Sequence, residues 1–482
     1  MAILSPGFRS FASSILAGLL VSGTSPRPAE TYDLVITHLN VVDVQSGRIR
    51  PDHTLAISGG IIRRIEPGST RIYAAKKTLD GKARYVIPGL WDMHMHFRGG
   101  DSLTQAAKNT LPLFLAHGVT TVRDAGGDLT AAIFSWRQQI KAGTLPGPRI
   151  FTSGPKIDGP QAYWPGSLEV ETPVQITKAL DSLQKLRVDY IKIYDSKISR
   201  EAYLQVVAEA QKRGLKTTSH MPFTVKLSEA IAQGLDATEH LYYVFKGCSS
   251  KEDSLTALVT QSLRTPKPLG LFAVLPALYD TYDVATANRL FKLMAAKKTA
   301  VVPTLFIQKT LAEVATADHT RDSLLAFISP KIQATYARRV SSARQQSATA
   351  VAFGQKLNAR FMTMVPQLQA AGVLVLAGSD SGPFNSYVYP GASLQGELQM
   401  LVAAGLTPLQ ALRAATINGA TFMGVEKTSG TLAVGKDADL VILRQNPLEN
   451  IANIKKIDAV VTRGTLYSAA DLDRLVQAVR NK

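Results

Sequence analysis

The sequence predicts an α/β protein: a (β/α)8 TIM barrel carrying a composite β-sandwich domain built from both chain ends. Three observations predict it. Short apolar β-type runs alternate with helical stretches through the middle of the chain. β-rich text occupies both ends. A strand-like run over residues 83–90 leads straight into Trp91-Asp92-Met93-His94-Met95-His96.

The end segments come first. Residues 33–43 are β-rich, Ser46-Gly47 marks a turn, and Thr54–Ser58 runs through Gly59-Gly60 into Ile61–Ile65, a hairpin signal. Similar text returns at 430–435, 438–443 and 457–462, with a turn at Arg463-Gly464. Neither piece has enough apolar surface to stand alone, so residues 30–87 and 425–470 are assigned to one sandwich and 88–424 to the barrel.

Within the barrel, buried strands are expected at Val119–Val122, Arg149–Thr152, Tyr190–Ile193, Lys216–Ser219, Ala237–Glu239, Ala300–Pro303 and Val373–Ala377. With the strand before His94 they make eight β units, the number a (β/α)8 barrel needs. Helices are expected at Glu201–Arg213, Leu227–Gln233 and Ser393–Ala404, with Gly214 and Gly234 where helix-ending glycines belong. Thr407-Pro408-Leu409-Gln410 joins a capping-box pattern to a first-turn proline and opens another helix. The wide spacing of the later strands implies helical insertions near 245–295 and 310–370, with an exposed basic helix over 330–360.

Composition sets bounds. Apolar residues make up 45% of the 482 and charged residues 19%, values that permit a large core. The formal charge is +17, but the basic residues are dispersed as isolated pairs such as Arg63-Arg64 and Lys297-Lys298, with no basic-aromatic motif. That distribution reads as a solvated surface and speaks against nucleic-acid partners. Cys248 is the only cysteine, which excludes an intrachain disulfide and Cys-x-x-Cys metal sites. Arg9, an apolar run over 15–21 and small residues at 22–25 follow the order of a secretory signal peptide. Residues 1–25 are therefore expected to direct export to the periplasm or beyond, with cytoplasmic residence as the alternative. The run is shorter than the ~20 residues of a membrane span.

The chemistry concentrates in a few positions. Side chains alternate along a strand, so His94 and His96 project to one face, ~7 Å apart along it, and can grip one metal ion. Catalytic groups of such barrels sit at strand C-termini. The residues at or after the strand ends include His94, His96, Lys192, His220, His240 and Asp380. Neutral imidazoles with a carboxylate suit zinc in a hydrolytic site. Lys192 lies inside an apolar strand, where an ammonium is costly and burial frees the amine as a nucleophile. It can take up carbon dioxide as a metal-bridging carbamate, or remain a plain lysine paired with Asp189 or Asp195. Tyr242 and Arg123 are candidates for holding an oxyanion and a substrate carboxylate; the opposing readings are packing for Tyr242 and an Asp124 pair for Arg123.

In order and company, these motifs make the sequence resemble the amidohydrolase superfamily, in its imidazolonepropionase-like branch with metal-dependent Xaa-Pro dipeptidases. The matching text includes Pro88–His96, Gly118–Gly127, Gly147-Pro-Arg149, Ile191-Lys-Ile193, Glu239-His240, Val302-Pro-Thr304, Ala377–Gly382, Ala411–Ala420 and Gly435–Leu440. The resemblance implies two divalent ions, zinc by expectation. His94, His96 and Asp380 would hold the more buried one and His220 and His240 the second, with carbamylated Lys192 bridging both. It further implies C–N bond hydrolysis by a hydroxide shared between the ions, with Asp380 as general base and acid and Tyr242 as a catalytic partner. The substrate would be a small molecule or short peptide, and a homo-oligomer would be in keeping with the branch.

Two departures bear on specificity. A Gly-Gly-His-Gly-type loop of dipeptidase-like relatives is replaced by Gly159-Pro-Gln-Ala-Tyr-Trp-Pro-Gly166, which has no histidine, and the fifth-strand motif reads Thr218-Ser-His220-Met-Pro222. Tyr163 and Trp164 suggest an aromatic wall near the mouth instead. The alternatives are a cyclic-amide hydrolase and an inactive secreted binding protein on the same scaffold.

Overall fold

The computed structural model describes residues 31–68 and 73–480. The export segment at 1–25 lies outside them. The first four strands are Tyr32–Val42 (β1), Ile49–Ser58 (β2), Ile61–Pro67 (β3) and Ala75–Pro88 (β4). The central ones are Leu90–Met95 (β5), Val119–Asp124 (β6), Arg149–Thr152 (β7), Ile157–Asp158 (β8), Leu168–Glu169 (β9), Ile191–Ile193 (β10), Thr217–Ser219 (β11), Ala237–Glu239 (β12) and Ala300–Val302 (β13). The last are Leu440–Leu443 (β14), Ile457–Thr462 (β15) and Thr465–Ser468 (β16).

Both chain ends share one sheet, in the order β16-β15-β14-β4-β1-β2-β3. β4 is the joint. It pairs in parallel with β1 through Ala75–Val86 and antiparallel with β14 through Tyr85–Pro88. The expected sandwich is thus a single hydrogen-bonded sheet of seven strands. Its two central strands bend together: His38 in β1 and Lys82 and Ala83 in β4 have φ of 54°, 49° and 58°, and Asn40 Nδ2 donates to the Ala83 carbonyl at 2.6 Å. Left-handed residues interrupt the extended backbone, so the ribbon turns without losing its partner. Leu34, Ile36, Leu39, Leu55, Val86, Leu440 and Ile442 close an apolar core between these pieces. At the tip of the β2–β3 hairpin, Gly59 and Gly60 have φ of 60° and 72°, the conformation a two-residue primed turn requires.

The central strands are parallel and form sheets ordered β5-β6-β7 and β13-β12-β11-β10-β8-β9. Every residue of β5, β6 and β10–β13 is buried, as expected for parallel strands covered on both faces. The expected eighth strand at 373–377 is not a regular strand. Its backbone nonetheless bonds both neighbours: Val301 N–H donates to Leu374 O at 3.0 Å, Met93 N–H to Ala377 O at 2.8 Å and His96 N–H to Ser381 O at 2.8 Å. Gly378 explains the irregularity, since a Cβ there would lie 2.5 Å from Val302 Cγ1 and 2.8 Å from the His94 Cβ. The backbone is pressed against both flanking strands.

Helices cover the sheets. Arg200–Lys212 is capped by Ser199, and Pro408–Ala414 carries the capping box anticipated at Thr407 and Gln410. Insertion helices run over Glu252–Ser262, Leu271–Asp280 and Val284–Ala296 in the first long gap. The expected single exposed helix at 330–360 is instead Pro330–Ala334, Ala337–Arg344 and the start of Ala348–Ala370. Ser347 caps the last and forces the break, and Ile332 and Tyr336 turn inward. None of the described helices is long and apolar enough to cross a membrane.

Candidate metal centre

The carboxyl ends of the parallel strands bring six ionisable groups together. His94 lies on β5 and His96 just after it, Lys192 at the middle of β10, His220 and His240 immediately after β11 and β12, and Asp380 beside β5. Backbone bonds fix each site residue: His220 N–H donates to Ile193 O at 3.0 Å, His240 N–H to Val302 O at 2.9 Å and Asp380 N–H to His94 O at 2.6 Å. His240 and Asp380 hold left-handed φ of 60° and 57°, rare for residues with a Cβ. Such conformations persist where surrounding structure enforces them, as at functional sites.

The side chains converge. Nε2 of His94 and His96 are 3.2 Å apart, and Nε2 of His220 and His240 are 3.0 Å apart. Asp380 Oδ1 is 2.8 Å from His96 Nε2 and 3.4 Å from His94 Nε2, while its Oδ2 is 3.8 Å from His240 Nε2. His94, His96 and Asp380 form one ligand-spaced group, and His94, His220 and His240 form another, each within 4.8 Å. Zinc–nitrogen bonds of roughly 2.0–2.1 Å put neighbouring ligand atoms a little over 3 Å apart, which these separations match.

Three of the opposite ring nitrogens are met from behind, while His96 Nδ1 has no hydrogen-bond partner. His94 Nδ1 is 2.6 Å from Glu239 Oε2 and His240 Nδ1 is 2.7 Å from Thr304 Oγ1. His220 Nδ1 lies 3.6 Å from Asp195 Oδ1, and Asp195 accepts from Tyr243 at 2.8 Å. Such contacts direct each Nε2 lone pair toward the shared centre. Burial drives His96, His220 and His240 well below the usual imidazole range and keeps them neutral, as metal ligands must be. Burial would lower His94 too, but Glu239 and Asp380 outweigh it and raise the ring. Asp380 feels burial in the raising direction, yet His94 and His96 hold it well below the carboxylate range.

Lys192 is 1% exposed, its Nζ has no hydrogen-bond partner, and the nearest acid is Glu239 at 3.7 Å rather than Asp189 or Asp195. Burial pulls its pKa down to about 8. An orphaned, easily deprotonated amine beside four imidazoles fits a site completed by a metal-bridging group.

The remaining candidates separate. Arg123 is fully buried and donates to Met93 O at 2.6 Å and Glu239 Oε1 at 2.7 Å. Its partner is Glu239, not Asp124, and both its bonds stay within the wall, so the position expected to meet a substrate carboxylate braces His94 from behind. Tyr242 donates to Gln308 at 2.8 Å and packs on Phe361, with its ring centroid 5.3 Å away. The Trp164 ring centroid lies 6.5 Å from that of Tyr194, which in turn lies 4.7 Å from that of His220. Sequence reasoning gave no role to Glu239, although it precedes His240, or to Asn385, whose Nδ2 donates to Asp380 Oδ1 at 2.8 Å. For Asn385 the sequence carries no signal, since only the fold brings it to Asp380.

Ochratoxinase of Aspergillus niger is 23% identical over 92% of this chain and 84% of its own length. Adenine deaminase 3 of Rhizobium meliloti is 37% identical over only 19% of this chain, and the match spans 15% of that enzyme. Among solved structures, bottromycin amidohydrolase superposes with a TM-score of 0.70 at 24% identity, covering 93% of this chain and 91% of its own. A Xaa-Pro dipeptidase with bound methionine gives 0.65 at 22% identity, covering 90% and 99%. The amidohydrolase family model matches residues 85–467, which include His94, His96, Lys192, His220, His240 and Asp380, and the chain belongs to that family.

Proposed function

We propose that the protein is a metal-dependent hydrolase of an amide or peptide-like C–N bond, working at the mouth of a (β/α)8 barrel over residues 88–424 beside the composite β domain of 30–87 and 425–470. One observation carries the reading: two ligand-spaced groups share His94, and a buried Lys192 whose Nζ makes no hydrogen bond lies beside them. His94, His96 and Asp380 would hold one zinc ion and His220 and His240 the other. Lys192, carbamylated by carbon dioxide with loss of a proton, would serve both. When bound, such ions supply a water that ionises near neutral pH and polarise the scissile carbonyl.

The chain's own groups supply the rest. Asp380 takes the proton from the attacking water and returns it to the departing amine, a role worth about 10²–10⁴-fold. Asn385 fixes the Oδ1 of that carboxylate. Tyr242, released from Gln308, would donate to the developing oxyanion, while Trp164 walls the entrance. Arg123 acts through Glu239 and His94 and not on the substrate. Similarity to ochratoxinase, bottromycin amidohydrolase and a Xaa-Pro dipeptidase supports hydrolysis of amide bonds. Residues 1–25 would carry the chain out of the cytoplasm.

The test is metal analysis with a substrate panel. Protein purified without chelator should contain close to two divalent ions per chain and hydrolyse N-acyl amino acids or dipeptides. Turnover confined to cyclic amides would move the reading to ring opening. Failure to retain metal after reconstitution with zinc and bicarbonate would favour an inactive binding protein.

A further inference from the structure

Three cations crowd the mouth without a direct ion pair. Arg98 is 6% exposed, Lys156 is 3% exposed and Arg339 is partly buried, and among the described residues none has a carboxylate within 4.0 Å. Buried charges are ordinarily paired, because leaving water without a counter-charge is costly.

Their anchoring shows where they point. Arg98 Nε donates to Pro383 O at 2.9 Å, and Arg339 Nη2 donates to Asn385 Oδ1 at 3.1 Å. Both guanidinium groups are therefore tethered to one short loop, two residues apart, directly after Asp380. Arg98 lies 4.5 Å from the Trp164 ring centroid and 5.8 Å from that of Phe384, and Lys156 Nζ lies 5.4 Å from the same Trp164 ring. Most polar atoms nearby are committed elsewhere; Asp128 Oδ1 is the buried exception without a hydrogen bond. Asp128 Oδ2 accepts from Gly99 N–H at 2.6 Å and Gly100 N–H at 3.2 Å. Asp124 accepts from the backbone of Phe97 and Gly126, and Asp380 faces the histidines. Lys156 donates to Gly126 O and feels the charges of Asp128 and Asp124. Arg98 and Arg339 keep free N–H groups, and although the charge of Asp380 reaches both, neither makes an ion pair with it.

Resting on the hydrolase reading above, we propose that Arg98 and Arg339 form a double carboxylate clamp, and that the preferred substrate is an N-acyl derivative of an acidic amino acid. One guanidinium takes the α-carboxylate and the other the side-chain carboxylate, each through the paired N–H geometry that suits a planar acid. Water adds across the amide; the acyl group leaves as a carboxylic acid and the dicarboxylate leaves as the free amine. Trp164 and Phe384 hold the Arg98 guanidinium against their rings, and Asn385 holds that of Arg339.

The experiment has two arms on metal-loaded protein. Hydrolysis of N-benzoyl-glutamate, N-benzoyl-glutamine and N-benzoyl-leucine is compared, and binding of glutarate is compared with butyrate by calorimetry. Losing one charged hydrogen-bond pair is worth about tenfold or more. The glutamate derivative should therefore lead the glutamine derivative by at least about tenfold in kcat/KM, and glutarate should lead butyrate similarly. In Arg339→Gln both preferences should collapse, with Arg339→Lys retaining part of them and melting curves reporting that both variants fold. Equal hydrolysis of all three amides would overturn the clamp and leave the hydrolase intact. So would a glutarate preference that survives Arg339→Gln. A glutarate preference lost in Arg339→Gln, without hydrolysis of any amide, would support the clamp and overturn the hydrolase reading instead.

Discussion

Glu239 Oε2 lies 2.6 Å from His94 Nδ1, and that contact decides which nitrogen of the shared imidazole faces the site. The other oxygen accepts from Arg123 at 2.7 Å. Burial alone would raise Glu239, but Arg123, Lys192 and His94 outweigh it and hold the carboxylate well below its usual range.

Glu239→Gln keeps the shape but removes the charge that orients His94 and pairs Arg123. Metal affinity is expected to fall about 10–100-fold, measured by competition with a chromophoric chelator. Unchanged affinity would show that His94 needs no support from behind.

Lys192→Ala should lose metal and turnover together, and acetate or propionate should restore part of both by replacing the missing carboxylate. Because burial brings the amine down to about 8, bicarbonate-dependent metal uptake should grow as pH rises through that value, where the amine loses its proton. An unmodified lysine in fully active protein, seen by mass spectrometry, would end the bridging role.

Asp380→Asn retains an oxygen and the Asn385 contact but cannot accept a proton. Turnover should fall by at least ~10² while metal content drops modestly. Equal losses of metal and turnover would make Asp380 chiefly a ligand.

Glu397 gives a stability test away from the metal. It is fully buried, its Oε2 accepts from Phe306 N–H at 2.6 Å, and burial lifts its pKa to about 8 from 4.5. Between those values the folded chain holds a proton that the unfolded chain has released, so stability falls as pH rises across that window. Relative to Glu397→Gln, the metal-free protein should lose roughly 2–3 kcal/mol between pH ~5.5 and ~8, read from denaturant midpoints. Parallel pH profiles would show that Glu397 does not titrate there.

Local patterns were legible in the sequence where a residue type performs a local job. Thr407, Pro408 and Gln410 announced their helix, Gly59-Gly60 its hairpin, and His94 and His96 their shared face. The same capping box at Thr172, Pro173 and Gln175 opens the helix Pro173–Leu186 and is an equally local signal. What stayed hidden depends on distant neighbours. The irregular eighth segment follows from how closely Gly378 is pressed between Val302 and His94. For Arg123 the sequence offered a substrate carboxylate or the adjacent Asp124, because its partner Glu239 lies 116 residues away. Arg98 and Arg339 gave no sign of belonging together, since both reach the loop after Asp380 from remote positions.

The pairing of β4 with β14 also imposes a timetable. During synthesis Tyr85–Pro88 emerges long before Leu440–Leu443, its antiparallel partner. At about 5–20 residues per second the strand edge waits on the order of tens of seconds for its neighbour. Only Gly89 separates that edge from the strand bearing His94. A nascent chain is thus exposed to strand-to-strand association for most of its time on the ribosome, and any truncation that removes Leu440–Leu443 leaves the edge open for good. Supplying the missing C-terminal strands as a separate polypeptide should rescue such a truncated chain, and assembly of the two pieces would be a direct readout of how late the sheet closes.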